Sequence, residues 1–512
     1  MGWRAMVLMA ALCFARQPEA MEFEADGVSV RFDNTFRYTA AFRLEGRSGA
    51  LLVDPNSDDG DRAFAQGPIS NRGDLLSELE ISSANFGVRA SAEGWYDTVY
   101  HQMTANNSPA TFNPISVPHT QFTSSVTALQ GQSAQLLDAF VHGTFDIDGM
   151  PLTVRLGRQA LFWGETLFFA ENGIAFGQGP IDQNKALSEP LAEAKEVFLP
   201  VAQISMSFQP RPGIGIEAYY QFEWRKTQLP GVGSYFSDLD YLDVGGERYF
   251  VSSSEALLRT KDRTPPSTGQ YGVAARFSIG RFDCGLYALR FDSKQPLPAF
   301  QPGAVTAPGI LGTYNLQYPR GIEIYGASLS GKVAEANVGA EISARRNMPL
   351  VSRTPIILSP TAADNTFAVG DTLHAQFSTV FALQPWRLWN SADLSAEVAA
   401  NDRLRTTSDA EALAPGRDRF AAAFRAVLEP HYYRVLPGLD LSVPIGIGVG
   451  IIGNSSVDDT QNAGAGEVDI GITALYRTVW TARLLFSHFV GRPERQPFAD
   501  RDFVVLEIER TF

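Results

Sequence analysis

Long segments of the chain alternate apolar and polar residues with a period of two, as β-strands with one apolar and one polar face do. In residues 28–44, Phe36 and Phe42 share one face, and Arg37 and Arg43 share the other. Strands of soluble proteins average about five or six residues, and nearly twice that length is enough to cross a membrane at a tilt. The pattern therefore predicts a transmembrane strand.

Residues 503–512 repeat this alternation, with Leu506 on the apolar face and Glu507 on the polar face. Ending on an aromatic strand resembles the signal that the assembly machinery of bacterial outer-membrane barrels recognises, so we expect Phe512 to contact that machinery. Arg510 departs from the pattern, because this position is usually apolar or aromatic. The alternative is a soluble edge strand, which is disfavoured because an uncovered apolar edge promotes aggregation.

The alternating segments form pairs joined by eight short turns, and nine long connections separate the pairs. An even number of strands with both termini on the short-turn side is typical of bacterial outer-membrane barrels. We predict an all-β fold: one antiparallel transmembrane β-barrel of about 18 strands, with short periplasmic turns and long extracellular loops. The predicted strands are 28–44, 74–82, 86–97, 137–147, 152–159, 204–209, 214–225, 271–279, 282–291, 322–330, 333–345, 372–381, 392–401, 420–433, 439–449, 468–476, 480–489 and 503–512.

Composition is consistent with this architecture. The 512 residues carry a formal net charge of -14, a pI near 5.0 and a mean hydropathy of -0.09. Transmembrane barrels have such compositions because only alternate strand residues face lipid. The acidic balance argues against nucleic-acid binding.

The N-terminal residues have the features of a secretory signal peptide, with Arg4 before an apolar stretch. We expect a signal peptide at 1–20, cleaved after Ala15 or Ala20, and a barrel at 21–512. Cys284 is then the single cysteine of the mature chain, so no intramolecular disulfide can form.

Stretches spread over most of the mature chain resemble a known family. Among them are LTVRLGRQALFWGE at 152–165, QGPISNRGDLLSELE at 66–80 and EAYYQFEWRKTQLPGVGSYFSD at 217–238. The chain is similar to a proteobacterial outer-membrane β-barrel family with a "domain of unknown function" label, often associated with resistance-nodulation-division exporters. The resemblance implies contact with outer-membrane lipid and lipopolysaccharide. It also implies a periplasmic protein and an envelope exporter as partners in moving hydrophobic compounds. It supplies no catalytic residue and no cofactor.

A barrel of 16 to 18 strands is wide enough for an aqueous channel, so function is expected in the lumen. Charges of both signs face inward, which predicts no strong ion preference; the alternative is that they only pair and solvate a polar interior. By parity, the predicted lumen-facing charges are Arg31, Arg37, Arg43, Glu78, Arg89, Glu93, Arg155, Glu217, Glu223, Arg225, Arg276, Glu341, Arg345, Glu397 and Arg425. Further candidates for the substrate path are Arg158, Trp163, Glu165, Phe168 and Phe169.

The third long connection, residues 160–202, is unusually apolar and aromatic. Such a segment would not remain in water, so we expect it to fold into the lumen and narrow the pore, or to pack against the rim. A short helix is predicted at 190–198, with Pro190 in its first turn.

The acidic run at 54–61 has the oxygen-rich composition of a calcium loop. Asp54, Asn56 and Asp58 are weak candidates for metal ligands. Gly60 stands one position late, and Ala65 occupies the place of the bidentate glutamate. A solvated acidic turn without metal is the favoured interpretation.

Three classes of function remain after catalysis is considered. His142, His374 and His488 lie on predicted strands, but no nucleophile motif accompanies them, so we predict no enzyme. The favoured function is an outer-membrane channel for small hydrophobic or amphipathic molecules, narrowed by the third long connection. The alternatives are a general water-filled diffusion porin and a structural or adhesive envelope barrel.

Overall fold

The computed structural model describes residues 21–353 and 367–512, without the side chains of 304–306. The predicted signal peptide lies outside the described residues. The strands are β1 (Met21–Ala25), β2 (Val28–Arg43), β3 (Gly67–Ser83), β4 (Phe86–Asp97), β5 (Gln132–Ile147), β6 (Met150–Gln159), β7 (Val201–Arg211), β8 (Ile214–Gln221), β9 (Arg248–Ser252), β10 (Glu255–Arg259), β11 (Gln270–Ile279), β12 (Phe282–Phe291), β13 (Leu297–Ala307), β14 (Ile310–Gln317), β15 (Ile322–Val333), β16 (Ala336–Pro349), β17 (Val369–Leu383), β18 (Ser391–Ser408), β19 (Phe420–Leu436), β20 (Leu439–Ser442), β21 (Ile445–Ile452), β22 (Gly466–Tyr476), β23 (Trp480–Val490) and β24 (Phe503–Thr511).

Eighteen antiparallel strands close a barrel, because β2 pairs with β24 as well as with β3. The short β20 and β21 follow one another as a single barrel strand between β19 and β22. Pro444 lies at the break between them, where its missing N–H removes a ladder hydrogen bond. The all-β barrel predicted from the sequence is confirmed.

The two faces of the strands differ as the alternation predicted. Ile342 is 49% exposed on β16, whereas the adjacent Glu341 is 5% exposed. On β24, Leu506 is 38% exposed and Glu507 is fully buried. Apolar side chains thus form the outer surface, which lipid covers, and charged side chains face inward. A closed barrel with this apolar surface is an outer-membrane protein.

Several strand boundaries differ from the prediction. β3 begins at Gly67 rather than at 74, and β18 continues to Ser408. The turn predicted at Gly331 instead lies at Ala334, which has a positive φ of 53°, between the paired Val333 and Ala336. Gly331 stays in the strand, where the side chain of Phe282 packs over it.

A separate four-stranded sheet formed by β9, β10, β13 and β14 stands outside the barrel. The sequence pattern predicted only irregular connections here. Leu257, Tyr314 and Leu316 are buried in the small core of this sheet. Its strands are short and mixed parallel and antiparallel, so no long alternation marks them in the sequence.

The helical segments are short and lie in the extracellular connections. No helix within the described residues is long and apolar enough to cross a bilayer. The α-helical turns are Asp59–Arg62, Ser124–Val126, Gln183–Ser188 and Ala194–Val197, with a π-turn at Thr127–Gly131 and 3-10 turns at Val99–His101, Ala170–Asn172, Ile174–Gly177 and Ala410–Ala412.

Candidate functional site

The connection between β6 and β7, residues 160–200, is called the third loop below. It lies inside the barrel, where its two halves contact inward-facing residues of different strands. The apolar half is residues 161–178, and the polar half is residues 182–197. The helix predicted at 190–198 is a single turn, Ala194–Val197, preceded by a capping box in which Glu193 and Glu196 cap each other's backbone.

The polar half is held by a buried network of charges. Arg37 of β2 contacts Glu189 at 3.1 Å and Glu196 at 2.8 Å, and its side chain is 3% exposed. Lys185 pairs with Glu93 of β4 and lies 3.4 Å from Glu196. These charge-assisted contacts join the third loop to the first strands of the barrel.

Neighbouring strands extend the network. Arg72 of β3 lies 3.0 Å from Glu189. Glu507 of β24 accepts a hydrogen bond from the Leu191 N–H at 2.7 Å. Arg483 of β23 donates to the Pro190 carbonyl at 2.9 Å. The polar half therefore contacts a continuous wall formed by β23, β24, β2, β3 and β4.

The network also sets the charge states of the third-loop residues. Burial alone would raise the pKa of Glu196, but the hydrogen bonds and charge of Arg37, together with Lys185, lower this pKa to about 2. Burial opposes the charge of Lys185, yet Glu189, Glu93 and Glu196 raise the pKa of its ammonium above the usual value. Both groups are therefore ionised at neutral pH.

The apolar half packs against the opposite part of the barrel. Trp163 is 4% exposed, with its ring 5.2 Å from that of Tyr219 and 5.9 Å from that of Tyr287. Ile174 is fully buried in the same cluster, beside Phe291. Trp163, one of the aromatic residues predicted to line the substrate path, is packed against the barrel wall.

Two strand carboxylates satisfy backbone N–H groups of the apolar half. Glu397 of β18 accepts hydrogen bonds from Phe168 at 2.5 Å and Phe169 at 3.0 Å, and Leu167 also donates to it. Glu341 of β16 accepts from Glu165 at 2.8 Å and from Ile174 at 2.5 Å. A carboxylate with several N–H donors fixes the conformation of the segment that supplies them.

Arg345 and His374 complete this wall. Arg345 donates to the carbonyls of Glu171 and Gly173, both at 3.0 Å. The His374 ring lies 2.9 Å from the Asn172 side chain. The His374 ring therefore helps to hold the third loop against β17.

The two anchored halves lie on opposite walls. Going round the barrel from β2 to β15, eight strands lie between them on either side. The polar half contacts strands around β2, and the apolar half contacts β12 and β15 to β18. The third loop therefore reaches from one wall of the lumen to the other.

Several other predicted lumen residues form ion pairs with one another. Arg158 lies 2.5 Å from Glu223, and Arg276 lies 2.8 Å from Glu217. Arg155 is exposed, with its guanidinium 5.8 Å from the Phe140 ring. Arg89 links neighbouring strands through Glu78, Glu80 and Asp138, and Lys195 of the third loop also reaches Glu78 at 2.6 Å.

The acidic run at 54–61 is largely buried, so its interpretation as a solvated turn is wrong. Asp58 is fully buried, and only Asp54 of the three candidate ligands is exposed. Asn56 uses its amide group to bind both the N–H and the carbonyl of Phe250. Asp59 is also fully buried. The loop folds inward because the fourth long connection, residues 222–269 between β8 and β11, supplies partners that local sequence does not reveal.

A cavity of about 600 Å³ lies between the third loop and the extracellular connections. Its lining mixes apolar and charged side chains. Phe169 and Leu187 come from the third loop, Leu239 and Phe498 from other connections, and Arg425 from β19. The Arg425 guanidinium lies 5.5 Å from the ring of Phe168.

Sequence reasoning missed Arg72 and Arg483 on the wall and Lys185, Glu189 and Glu196 in the third loop, although it named Arg37 and Glu93, which contact the last three. It placed Glu507 on the polar face of its strand without a partner in the third loop. One signal was present: acidic and basic residues are interspersed in 185–196, directly after the apolar part of the same connection. Charges in a segment predicted to enter the lumen require partners on the barrel wall.

No curated protein sequence matches the chain. Several solved structures are similar in architecture. Acinetobacter baumannii OccAB4 is 10% identical, with 97% of this chain and 100% of that chain covered and a TM-score of 0.46. Pseudomonas aeruginosa OpdK with vanillate is 10% identical, with coverages of 94% and 98% and a TM-score of 0.42. The outer membrane channel DcaP of Acinetobacter baumannii is 11% identical, with coverages of 96% and 99% and a TM-score of 0.40.

The model of one family, described as "Protein of unknown function (DUF1302)", matches residues 1–512. This match confirms the resemblance found in the sequence. The chain belongs to the DUF1302 family of outer-membrane β-barrel proteins.

Proposed function

We propose that the protein is an outer-membrane channel for small hydrophobic or amphipathic molecules, and that the third loop narrows its lumen. The observation that carries this proposal is the double anchoring of the third loop on opposite walls. One end rests on Arg37 and its neighbours, and the other on Glu341 and Glu397. A segment fixed at both ends across a barrel reduces the free cross-section of the lumen, which supports selection for small solutes.

The 600 Å³ cavity supports an amphipathic solute. Sites for small molecules combine apolar surface with a few placed polar groups. Phe169, Leu187 and Leu239 supply apolar surface, and Arg417 and Arg425 supply donors. Acidic residues also line the cavity, so we propose no preference for anions.

A general diffusion porin is the second candidate, favoured by the paired charges elsewhere on the wall. Arg158 with Glu223 and Arg276 with Glu217 leave a polar surface without a dominant sign. Such a surface would suit unselective passage of water-soluble molecules. Under this alternative, the third loop would leave a wide path open.

Single-channel conductance in planar bilayers separates the two candidates. The protein is refolded with its third loop intact and with residues 163–197 replaced by a short glycine–serine linker. If the intact protein shows almost no conductance and the shortened protein shows large, steady openings, the result supports narrowing by the third loop. Large openings that shortening leaves unchanged contradict it and favour the diffusion porin.

A matched control shortens a different connection by removing the hairpin of β13 and β14 (297–317), which belongs to the sheet outside the barrel. This variant should keep the conductance of the intact protein. Solute preference is then measured by liposome swelling with an amphipathic aromatic acid and with a sugar of similar mass. Faster entry of the sugar would contradict the proposed substrate class.

Three partners remain proposals. Phe512, which directly follows β24, is proposed to contact the assembly machinery. Association with a periplasmic protein and an exporter rests on the family resemblance.

A further inference from the structure

Three buried carboxylates meet where the extracellular connections come together. Asp58 and Asp59 lie in the first connection, and Asp240 lies in the connection after β8. All three are fully buried. One oxygen from each carboxylate lies within 4.8 Å of the other two. This cluster lies outside the lumen contacts of the third loop.

Hydrogen bonds satisfy only part of the cluster. Asp59 accepts from the Asn106 side chain at 3.0 Å and the Asn113 N–H at 2.7 Å. Asp240 Oδ2 accepts from the Asp59 N–H at 2.9 Å. The remaining oxygens, Asp58 Oδ1 and Asp240 Oδ1, are buried and have no hydrogen-bond partner. A buried carboxylate oxygen without a donor or cation is costly.

Nearby cations do not balance the three negative charges. Arg62 pairs with Asp58 Oδ2 at 2.5 Å. Arg501 also approaches the cluster, but one of its terminal nitrogens donates to the carbonyls of Tyr235 at 2.5 Å and Ser237 at 2.7 Å. Arg248 donates to the carbonyl of Phe112 and stacks 4.4 Å from the ring of Phe250. Among the described residues, Arg62 is the one cation that forms an ion pair with these three buried carboxylates, which leaves a deficit of positive charge.

We propose that Asp58, Asp59 and Asp240 bind a calcium ion that fastens the first and fourth connections together. The ligand atoms are carboxylate oxygens only, as a hard cation prefers. Oxygens bound to one Ca²⁺ at about 2.3–2.6 Å can lie up to about 5 Å apart, which fits the cluster. Mg²⁺ retains several waters and demands a stricter octahedron, so a buried protein cage favours Ca²⁺.

This proposal is independent of the channel. A calcium site would stabilise the conformation of the extracellular connections whether or not the lumen conducts. Asn106 and Asn113 of the second connection, which donate to Asp59, would be ordered with it. The site would therefore join three of the extracellular connections.

Calcium binding is tested by isothermal titration of the full refolded chain, stripped with EDTA and free of lipopolysaccharide, whose phosphates also bind Ca²⁺. We expect one Ca²⁺ per chain and at least tenfold weaker binding of Mg²⁺. Asp240→Asn should weaken Ca²⁺ binding at least tenfold. Asp54→Asn, in the same connection but exposed, should leave it unchanged.

Hydrogen exchange supplies a second readout. Ca²⁺ should slow exchange in residues 56–62 and 238–242 of the unmodified protein and leave Asp240→Asn unaffected. Heat-dependent migration on gels shows whether each variant has formed its barrel, and Asp59→Asn replaces Asp240→Asn if the latter does not fold. Absence of Ca²⁺ binding, or equal loss in Asp54→Asn, overturns the proposal and indicates carboxyls that share protons instead.

Discussion

The two halves of the third loop are held inside the same barrel by different physics. The polar half depends on side-chain ion pairs, in which Arg37 meets Glu189 and Glu196. The apolar half depends on buried rings around Trp163, and on Glu397, whose carboxylate accepts backbone N–H groups. Removing one partner of a buried ion pair leaves an unpaired charge and is strongly destabilising. Removing part of a packed apolar segment lowers its stability in proportion to the apolar groups that are lost. The two halves should therefore release separately.

Removing Arg37 should have the largest effect. Arg37→Met leaves Glu189 and Glu196 buried with fewer cations, and breaking a buried pair in this way costs about 3–5 kcal/mol. We expect faster hydrogen exchange in 183–197 but not in 163–176. Unitary conductance should also rise, as measured in planar bilayers.

Arg31→Met is the matched control, because Arg31 lies on the same strand with a side chain that is 63% exposed and pairs with Asp33. It should leave exchange and conductance unchanged. If Arg37→Met loosens both halves equally, the third loop is one cooperative unit and the comparison fails.

Removing one carboxylate from the other wall should have a smaller effect. Glu397→Gln replaces a charged acceptor of three N–H groups with a neutral amide, and hydrogen bonds to charged groups contribute about 1.5–3 kcal/mol each. Exchange should increase at 165–174 and remain slow at 183–197.

Asp393→Asn provides the comparison on the same strand, since the Asp393 side chain is 52% exposed and pairs only with His431 at 3.0 Å among the described contacts. Exchange in the third loop should not respond to it. Release of the polar half in Glu397→Gln would show that the two anchors are coupled.

The sequence determined much of the barrel but little of the anchoring. The strands Phe86–Asp97 and Phe282–Phe291 were predicted with their observed bounds, because alternation is a local property. The apolar content of the third loop predicted that it either enters the lumen or packs against the rim, and its contacts with Arg37 and Glu341 lie inside the barrel. The partners of Arg37 lie more than 150 residues away along the chain, so no local pattern could select them.

The outer connections show the same limit. The acidic run at 54–61 was interpreted as solvated, because its partners Asn113 and Asp240 come from other connections. The strands of the small outer sheet were missed for a similar reason. The conformation of these regions is determined by contacts between residues far apart in the chain, which a local sequence pattern does not reveal.

Adding a single methyl group to the apolar half, in Gly164→Ala, should have a smaller effect on hydrogen exchange than Glu397→Gln. Gly164 has a φ of +98°, which side chains rarely adopt, and an added Cβ would overlap Glu341 Oε2. Gly164→Ala should cost about 1–3 kcal/mol locally and loosen 163–169. Gly179→Ala, where a Cβ would make an ordinary contact with the Leu199 carbonyl, should not.

Both variants are compared by hydrogen exchange on barrels of equal thermal stability. Equal protection in the two variants would mean that Glu341 moves aside freely. The carboxylate would then not position the backbone of the apolar half.

Acid should loosen the polar half most gently of all. Arg37 and Lys185 lower the folded-state pKa of Glu196 to about 2 from an ordinary value near 4.5. A depressed carboxyl pKa contributes stability that is present above about pH 4.5 and is lost as pH falls through about 2. Unitary conductance should therefore rise as the pH falls from about 4.5 to about 2. Glu196→Gln removes the titrating carboxyl, so its conductance should already be high at pH 5 and change less with acid. If the conductance of Glu196→Gln depends on pH as steeply as that of the unmodified protein, other groups cause the dependence. Protonation of Glu196 would then not release the polar half.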